Sequence, residues 1–336
     1  MVGSIDECPA RDCGPVLREA VQSGTPLVMR GLVSDWPVVA AAHRGDAALL
    51  DYFAAIAGPE AIDAVAAPAD AGGRFHYDAE MRGFTFARMR LSLGAFLGEL
   101  RQELEQDAPR ALAAQGVVCA AACPGFDHAN PLPVRPGAGE TRLWIGTAAQ
   151  VAAHSDPADN IAYVAGGRRR FTLFAPEAVG DLYMGPFDPT PAGTPIAMTD
   201  PLAPDFDRYP RFATALDAAQ AAELEPGDAV YIPLGWYHHV AALDRVNVLI
   251  NYWWRPQSEQ GPSPWDAMLH GMMALRGLPP AEQRVWRAMF DHFVFETSGP
   301  AGAHLPPHAR GVLDARSLQD REAMRAALLR NLSQRR

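Results

Sequence analysis

His154 and Asp156, separated by one serine, lie in the strand-like run QVAAHSD, and His238-His239 lies in a second such run, GWYHHV. Residues two apart on a strand project from the same face, so one imidazole and one carboxylate can converge on a single ion. A second imidazole from the later run completes a set of two histidines and one carboxylate. Such a set leaves coordination positions open for a co-substrate and oxygen, the pattern of non-haem Fe(II) chemistry. Spacing alone leaves open which of His238 and His239 is the third donor. Nor does it single out the first pair: in a chain with ten histidines about one His-x-Asp arises by chance. His76-Tyr77-Asp78 is another, and with no partner histidine pattern around it, it is expected to be structural.

The surrounding sequence must supply strands to hold these groups. From residue 142 onward the runs RLWIG, QVAAHSD, NIAYVAGG and RRRFTLFAP are each closed by Gly, Pro or Asp, as short strands are. Gly166-Gly167 reads as a hairpin turn. A Pro- and Asp-rich excursion over 175–226, with a short helix near 213–224, precedes DAVYIPLGWYHHVAAL and VNVLINYWW, joined at Asp244-Arg245. Upstream, residues 26–33 read as a strand and 47–57 as a helix, and Leu93, Phe96, Leu97, Leu100 and Leu104 form a helical stripe. After Pro256 the pattern predicts helices over 264–275, 280–295 and 317–332. The expected fold is mainly β, a barrel or jelly roll over 141–256, with a mixed α/β part over 1–140 packed on it and a helical C-terminal region over 257–336.

Composition narrows the class. The chain has 336 residues, 49% hydrophobic and 20% charged, which excludes a disordered or coiled-coil protein. All 29 basic residues are arginine, against 39 acidic ones, so the net charge of −10 argues against a nucleic-acid partner. The sequence shows neither a membrane-spanning apolar run nor a secretory leader, and a cytoplasmic protein without membrane association is expected. Cys8, Cys13, Cys119 and Cys123 fit neither a zinc clip nor a disulfide scaffold and are expected to be reduced thiols.

The ordered set LWIGTAAQVAAHSDPADNIAYVAGGRRRFTLFAP, GDAVYIPLGWYHHVAAL and VNVLINYWW resembles the JmjC-type, cupin-like Fe(II)- and 2-oxoglutarate-dependent oxygenases, in particular their small hydroxylases. The resemblance is strong over 142–254 and extends more loosely towards both ends. It implies a double-stranded β-helix, Fe(II) held by His154, Asp156 and His238, and His239 turned to the other strand face. It further implies that Asn160 and Asn251 are pocket amides orienting ligand or co-substrate, and that Arg169 takes the place of the lysine that pairs with the distal carboxylate of 2-oxoglutarate. Val151 stands where the family often has a hydroxyl. Arg168 and Arg170 are expected on a solvated strand edge. Trp144, Trp236, Tyr163, Tyr252 and Trp253 are expected to pack, and His270, His292, His304 and His308 to lie on the surface or in a satisfied core.

The implied activity is hydroxylation of a protein side chain or small molecule whose identity the loops do not encode. Two alternatives stand beside it: a cupin-type metalloenzyme without 2-oxoglutarate, of isomerase type, and a non-catalytic binding protein of the same fold. Stripes at Val285, Met289 and Phe293 and at Leu318, Met324, Leu328 and Leu332 suit a homodimer through the terminal helices, and for the first two of those helices packing on the protein's own barrel is an equal expectation.

Overall fold

A computed structural model describes residues 2–191, 193–254, 263–314 and 318–334. Fourteen strands are formed: β1 (Gly3–Ser4), β2 (Glu7–Pro9), β3 (Leu27–Arg30), β4 (Ala61–Ala67), β5 (Ala87–Ser92), β6 (Ala111–Val118), β7 (Gly139–Gly146), β8 (Gln150–Ser155), β9 (Asp159–Gly166), β10 (Arg169–Phe174), β11 (Gln220–Leu224), β12 (Ala229–Ile232), β13 (Tyr237–Ala242) and β14 (Asn247–Trp254). The N-terminal helices are α1 (Cys13–Ser23), α2 (Pro37–His43), α3 (Asp46–Ile56) and α4 (Leu93–Leu104). Two single turns, α5 (Cys119–Ala122) and α6 (Phe126–Ala129), and the short α7 (Phe212–Asp217) follow.

The strands make two sheets, β1-β11-β10-β13-β8 and β2-β3-β12-β9-β14-β7-β6-β4-β5. Val164, Val230, Ile232 and Leu249 of the large sheet meet Phe171, Leu173, Leu224 and Val240 of the small one in a shared interior. The outer face of the large sheet, with Leu143, Ile145, Ile161 and Tyr163, is covered by Leu17, Leu49, Phe53, Phe96 and Leu100 of the N-terminal helices. This double coverage explains the uninterrupted apolar texture of β9, all eight of whose residues are buried. The N-terminal strands are hydrogen-bonded members of the large sheet: β3 pairs with β12 and β6 with β7.

Two expectations are corrected. Gly166-Gly167 is not a hairpin turn, because β9 lies in the large sheet and β10 in the small one; the turn carries the chain from one sheet to the other, as a jelly roll requires. Gly167 adopts φ +65°, and a Cβ there would stand 2.5 Å from Asn247 Oδ1, so the crossing needs glycine. Asp244-Arg245 crosses back in the same way between β13 and β14. The helix expected near 213–224 stops at Asp217, and Gln220–Leu224 is instead β11, paired with β10 and β1. Its alanines favour helix intrinsically, but Ala222 and Leu224 alternate into the interior and the open edge of β10 supplies the ladder, so tertiary context overrides propensity.

The C-terminal region forms a second compact unit with α8 (Pro264–Leu275), α9 (Pro280–Phe293) and α10 (Leu318–Gln334). Neither α8 nor α9 contains a buried residue. The expected boundary at 256 and 257, the helix start at 317 and the Leu318 side chain lie outside the described residues. No helix among the described residues is long and apolar enough to cross a membrane. All four cysteines are free and buried.

Candidate metal centre

β8 and β13 are antiparallel neighbours, and the register sets His154 directly opposite His238, so the two imidazoles are cross-strand partners with ring centroids 4.3 Å apart. The ladder is interrupted immediately beside them. His238 pairs with His154 but Val240 pairs with Val151, so Ala152 and Ala153 together stand opposite the single residue His239. This β-bulge, a device common beside active sites, keeps Val151 on the interior face with His154 although the two are three residues apart. It also frees the Ala152 carbonyl from the ladder, and His154 Nδ1 donates to it at 2.9 Å.

His238 Nδ1 donates in the same manner to Trp236 O at 3.3 Å. With both Nδ1 atoms committed to carbonyls, each ring turns an Nε2 lone pair inward. Burial, with His154 alongside, pushes the His238 imidazole down to about 4, so it is neutral at pH 7 and able to donate to a cation. Asp156 sits just beyond the end of β8, so its convergence depends on the turn as well as on strand alternation. Its Oδ1 lies 3.9 Å from His154 Nε2 and its Oδ2 3.6 Å from His238 Nε2. One ligand atom from each of the three residues falls within 4.8 Å of the others, and among the described residues this is the only such group of three or more histidines, cysteines or acids.

Two amides stand behind the carboxylate. Asn251 Nδ2 donates to Asn160 Oδ1 at 2.8 Å, and Asn160 Nδ2 reaches Asp156 Oδ2 at 3.5 Å. Both asparagines are buried, on the facing strands β14 and β9, and Asn251 Oδ1 has no hydrogen-bond partner. The relay orients Asp156 and still offers one acceptor.

Arg169, at the start of β10, is aligned with the interior residues Phe171 and Leu173. Its side chain is buried, its Nε has no hydrogen-bond partner, and no ion pair to it is seen among the described residues. Burial alone pulls its guanidinium down to about 10, still protonated at pH 7. A buried cation with no partner is costly, and a carboxylate is the kind of group that would offset this one. The donor set of His154, Asp156 and His238 suits a divalent cation and Arg169 suits a carboxylate, so the residues present fit both groups.

The remaining candidates divide. His239 is on the opposite face from His238, paired with Thr172 and 3.9 Å from Asp200. Arg168 is solvated as expected, bonded to Asp244 and Glu223, but it lies in the turn before β10, a central strand, and not on a strand edge. Arg170 is not on a solvated edge: it is half-buried with an unpartnered Nε, because β10 is flanked on both sides, by β11 and β13. Tyr163 and Tyr252 pack in the outer core, and Trp236 Nε1 donates to Gly24 O. Trp144 and Trp253 each keep a buried, unpartnered indole N–H. Sequence alternation places both on the face of the β7–β14 pair that carries Asn251, but only the finished barrel reveals the unused donors.

Comparison with known proteins agrees with this geometry. The profile of the family described as "Cupin-like domain" matches residues 14–260. The chain is 34% identical over 115 residues to "Lysine-specific demethylase JMJ31" of Arabidopsis thaliana, covering 34% of this chain and 20% of that protein. It is 34% identical over 118 residues to human "HSPB1-associated protein 1", covering 34% and 23%. To "tRNA wybutosine-synthesizing protein 5" of Gallus gallus it is 34% identical over 106 residues, covering 32% and 30%. The matches thus span less than a third of these relatives.

Proposed function

The chain belongs to the cupin-like domain family, and on that footing we propose that it is an Fe(II)- and 2-oxoglutarate-dependent dioxygenase that hydroxylates a protein side chain or a small molecule. The observation that carries this reading is the pairing of one three-donor cation site with the buried Arg169, whose Nε has no hydrogen-bond partner among the described residues, in the same barrel. A metalloenzyme without 2-oxoglutarate would have no use for Arg169 in that state, and a binding protein would have no use for three converging ligands.

In this reading His154, Asp156 and His238 hold the metal, and Arg169 takes the distal carboxylate of 2-oxoglutarate through a forked pair. Bound iron, with 2-oxoglutarate and oxygen, supplies oxidation of a C–H bond while the co-substrate leaves as succinate and carbon dioxide. The protein's own work is positional. The Ala152 and Trp236 carbonyls fix the imidazole tautomers, Asn251 and Asn160 steady Asp156, and the apolar interior of Val164, Phe171 and Leu249 keeps bulk water out. Val151 supplies no hydroxyl, and the indole N–H of Trp144 is an unused donor on the interior side.

We place the protein in the cytoplasm and take its substrate to be something other than nucleic acid, given its net charge of −10. We also propose a homodimer through the C-terminal helices. Anaerobic titration with Fe(II) and 2-oxoglutarate should produce a weak visible charge-transfer band, and admission of air should release succinate, with a mass gain of one oxygen on a true substrate. Asp156→Ala should abolish band and turnover. Metal binding without the band would favour the isomerase-type alternative, and no metal binding would leave only a binding role.

A further inference from the structure

The excursion between β10 and β11 doubles back on itself: Gly185 N donates to Ile196 O and Met198 N to Tyr183 O, while the buried Thr199 hydroxyl donates to Leu182 O. Its returning limb, residues 196–200, runs across the back of β8 and β13, on the face opposite the metal ligands. There it hydrogen-bonds one side of the β-bulge and comes within 3.9 Å of the other. Ala197 N donates at 2.7 Å to the carbonyl of Ala153, one of the two bulge residues and the immediate neighbour of His154. The carboxylate of Asp200 lies 3.9 Å from Nε2 of His239, the residue opposite the bulge and the immediate neighbour of His238.

Asp200 is itself held firmly. It is buried, accepts from Leu202 N at 2.8 Å and pairs with Arg74 Nη1 at 3.2 Å. His76, on the same covering segment as Arg74, lies 3.4 Å from Ala197 O through Nε2. This places the second His-x-Asp pair in the clasp: Tyr77 is buried and Asp78 caps its own turn by accepting from Arg82 N. The polar space enclosed by Arg74, His76, Gln150, Thr199, Asp200 and His239 is about 10 Å³, the room of one water at most. With Arg74 present, the cluster suits neither a second metal nor a substrate fragment.

We infer that the limb 196–200 is a clasp that holds the bulge, and with it the separation of the two imidazoles, and that Asp200 is a positioning residue for the metal site acting through His239. The inference rests on the reading of His154, Asp156 and His238 as metal ligands. The β8–β13 ladder departs from regular pairing at the point where the ligands need exact placement, and the clasp braces both strands there from behind.

The test is the affinity and ligand-field spectrum of Co(II) bound to the full chain, with circular dichroism to verify folding. Asp200→Ala and Asp200→Asn should weaken Co(II) binding by about 10- to 100-fold and alter the band envelope, while retaining the native far-UV spectrum. Arg74→Gln, at a half-exposed position, should weaken binding in the same direction and decides the matter if Asp200→Ala does not fold. Asp244→Asn, which removes the Arg168 ion pair at the other end of β13, should leave both affinity and spectrum unchanged. Wild-type affinity in Asp200→Asn and Arg74→Gln, or an equal loss in Asp244→Asn, would overturn the clasp. Failure of the unmodified chain to bind Co(II), or equal binding by Asp156→Ala, would overturn the metal reading itself and the clasp with it.

Discussion

Arg169 shows how one side chain can serve binding at the expense of stability. Its side chain is buried, its Nε has no hydrogen-bond partner and no ion pair to it is seen among the described residues, and replacing such a charge by an apolar group of similar volume is often stabilising. Arg169→Met should therefore raise the melting temperature of the metal-free chain while abolishing 2-oxoglutarate binding, measured by thermal denaturation and by titration of the charge-transfer band. Arg169→Lys should retain binding at reduced affinity, since a lysine makes one point contact where arginine makes a fork. A melting temperature that falls in Arg169→Met would mean the cation has a partner in the folded chain and is not reserved for a ligand. The ligand residues were legible because their types and order are distinctive; the unpaired state of Arg169 was not, because pairing depends on what the other strands bring near it.

At the scale of elements, the crossing at Gly166-Gly167 and the bulge do the positioning. Gly167→Ala combines a left-handed backbone with a Cβ placed against Val246 O and Asn247 Oδ1, and it should cost roughly 2 kcal/mol or more, read as a lowered urea midpoint. Gly24→Ala is the informative comparison: it is also left-handed, at φ +65°, but nothing lies within 4 Å of a Cβ there, so the smaller loss expected isolates the steric contribution. Most strands were legible from alternation and from the Gly and Pro that close them. The crossing at Gly166-Gly167 was not, since a two-glycine turn between two β runs reads identically whether the strands pair with each other or with strands far along the chain. The bulge was hidden for a similar reason: its two-against-one register is a property of the β8–β13 pair, and neither strand carries it alone.

For the whole molecule, the proposed dimer turns on the C-terminal unit, whose α8 and α9 contain no buried residue and expose Met273, Val285, Met289 and Phe293. A surface of this kind is usually covered by another chain. Light scattering on the full chain should report twice the 36.2 kDa chain mass, and Met289→Asp, on the exposed stripe of α9, should shift it to the monomer; a monomeric parent chain would end the dimer proposal. What the amino-acid sequence determined by itself was local and chemical: which side chains can bind a metal, where most strands of the barrel lie, and the family to which their order points. The tertiary structure alone decided which strands are neighbours. Hence it decided that His154 faces His238, that the Arg169 Nε is buried without a partner among the described residues, and that Asp200 reaches the back of the ligand strand. Contacts between residues distant along a chain arise from the pairing of whole elements, and no stretch of sequence carries that pairing within itself.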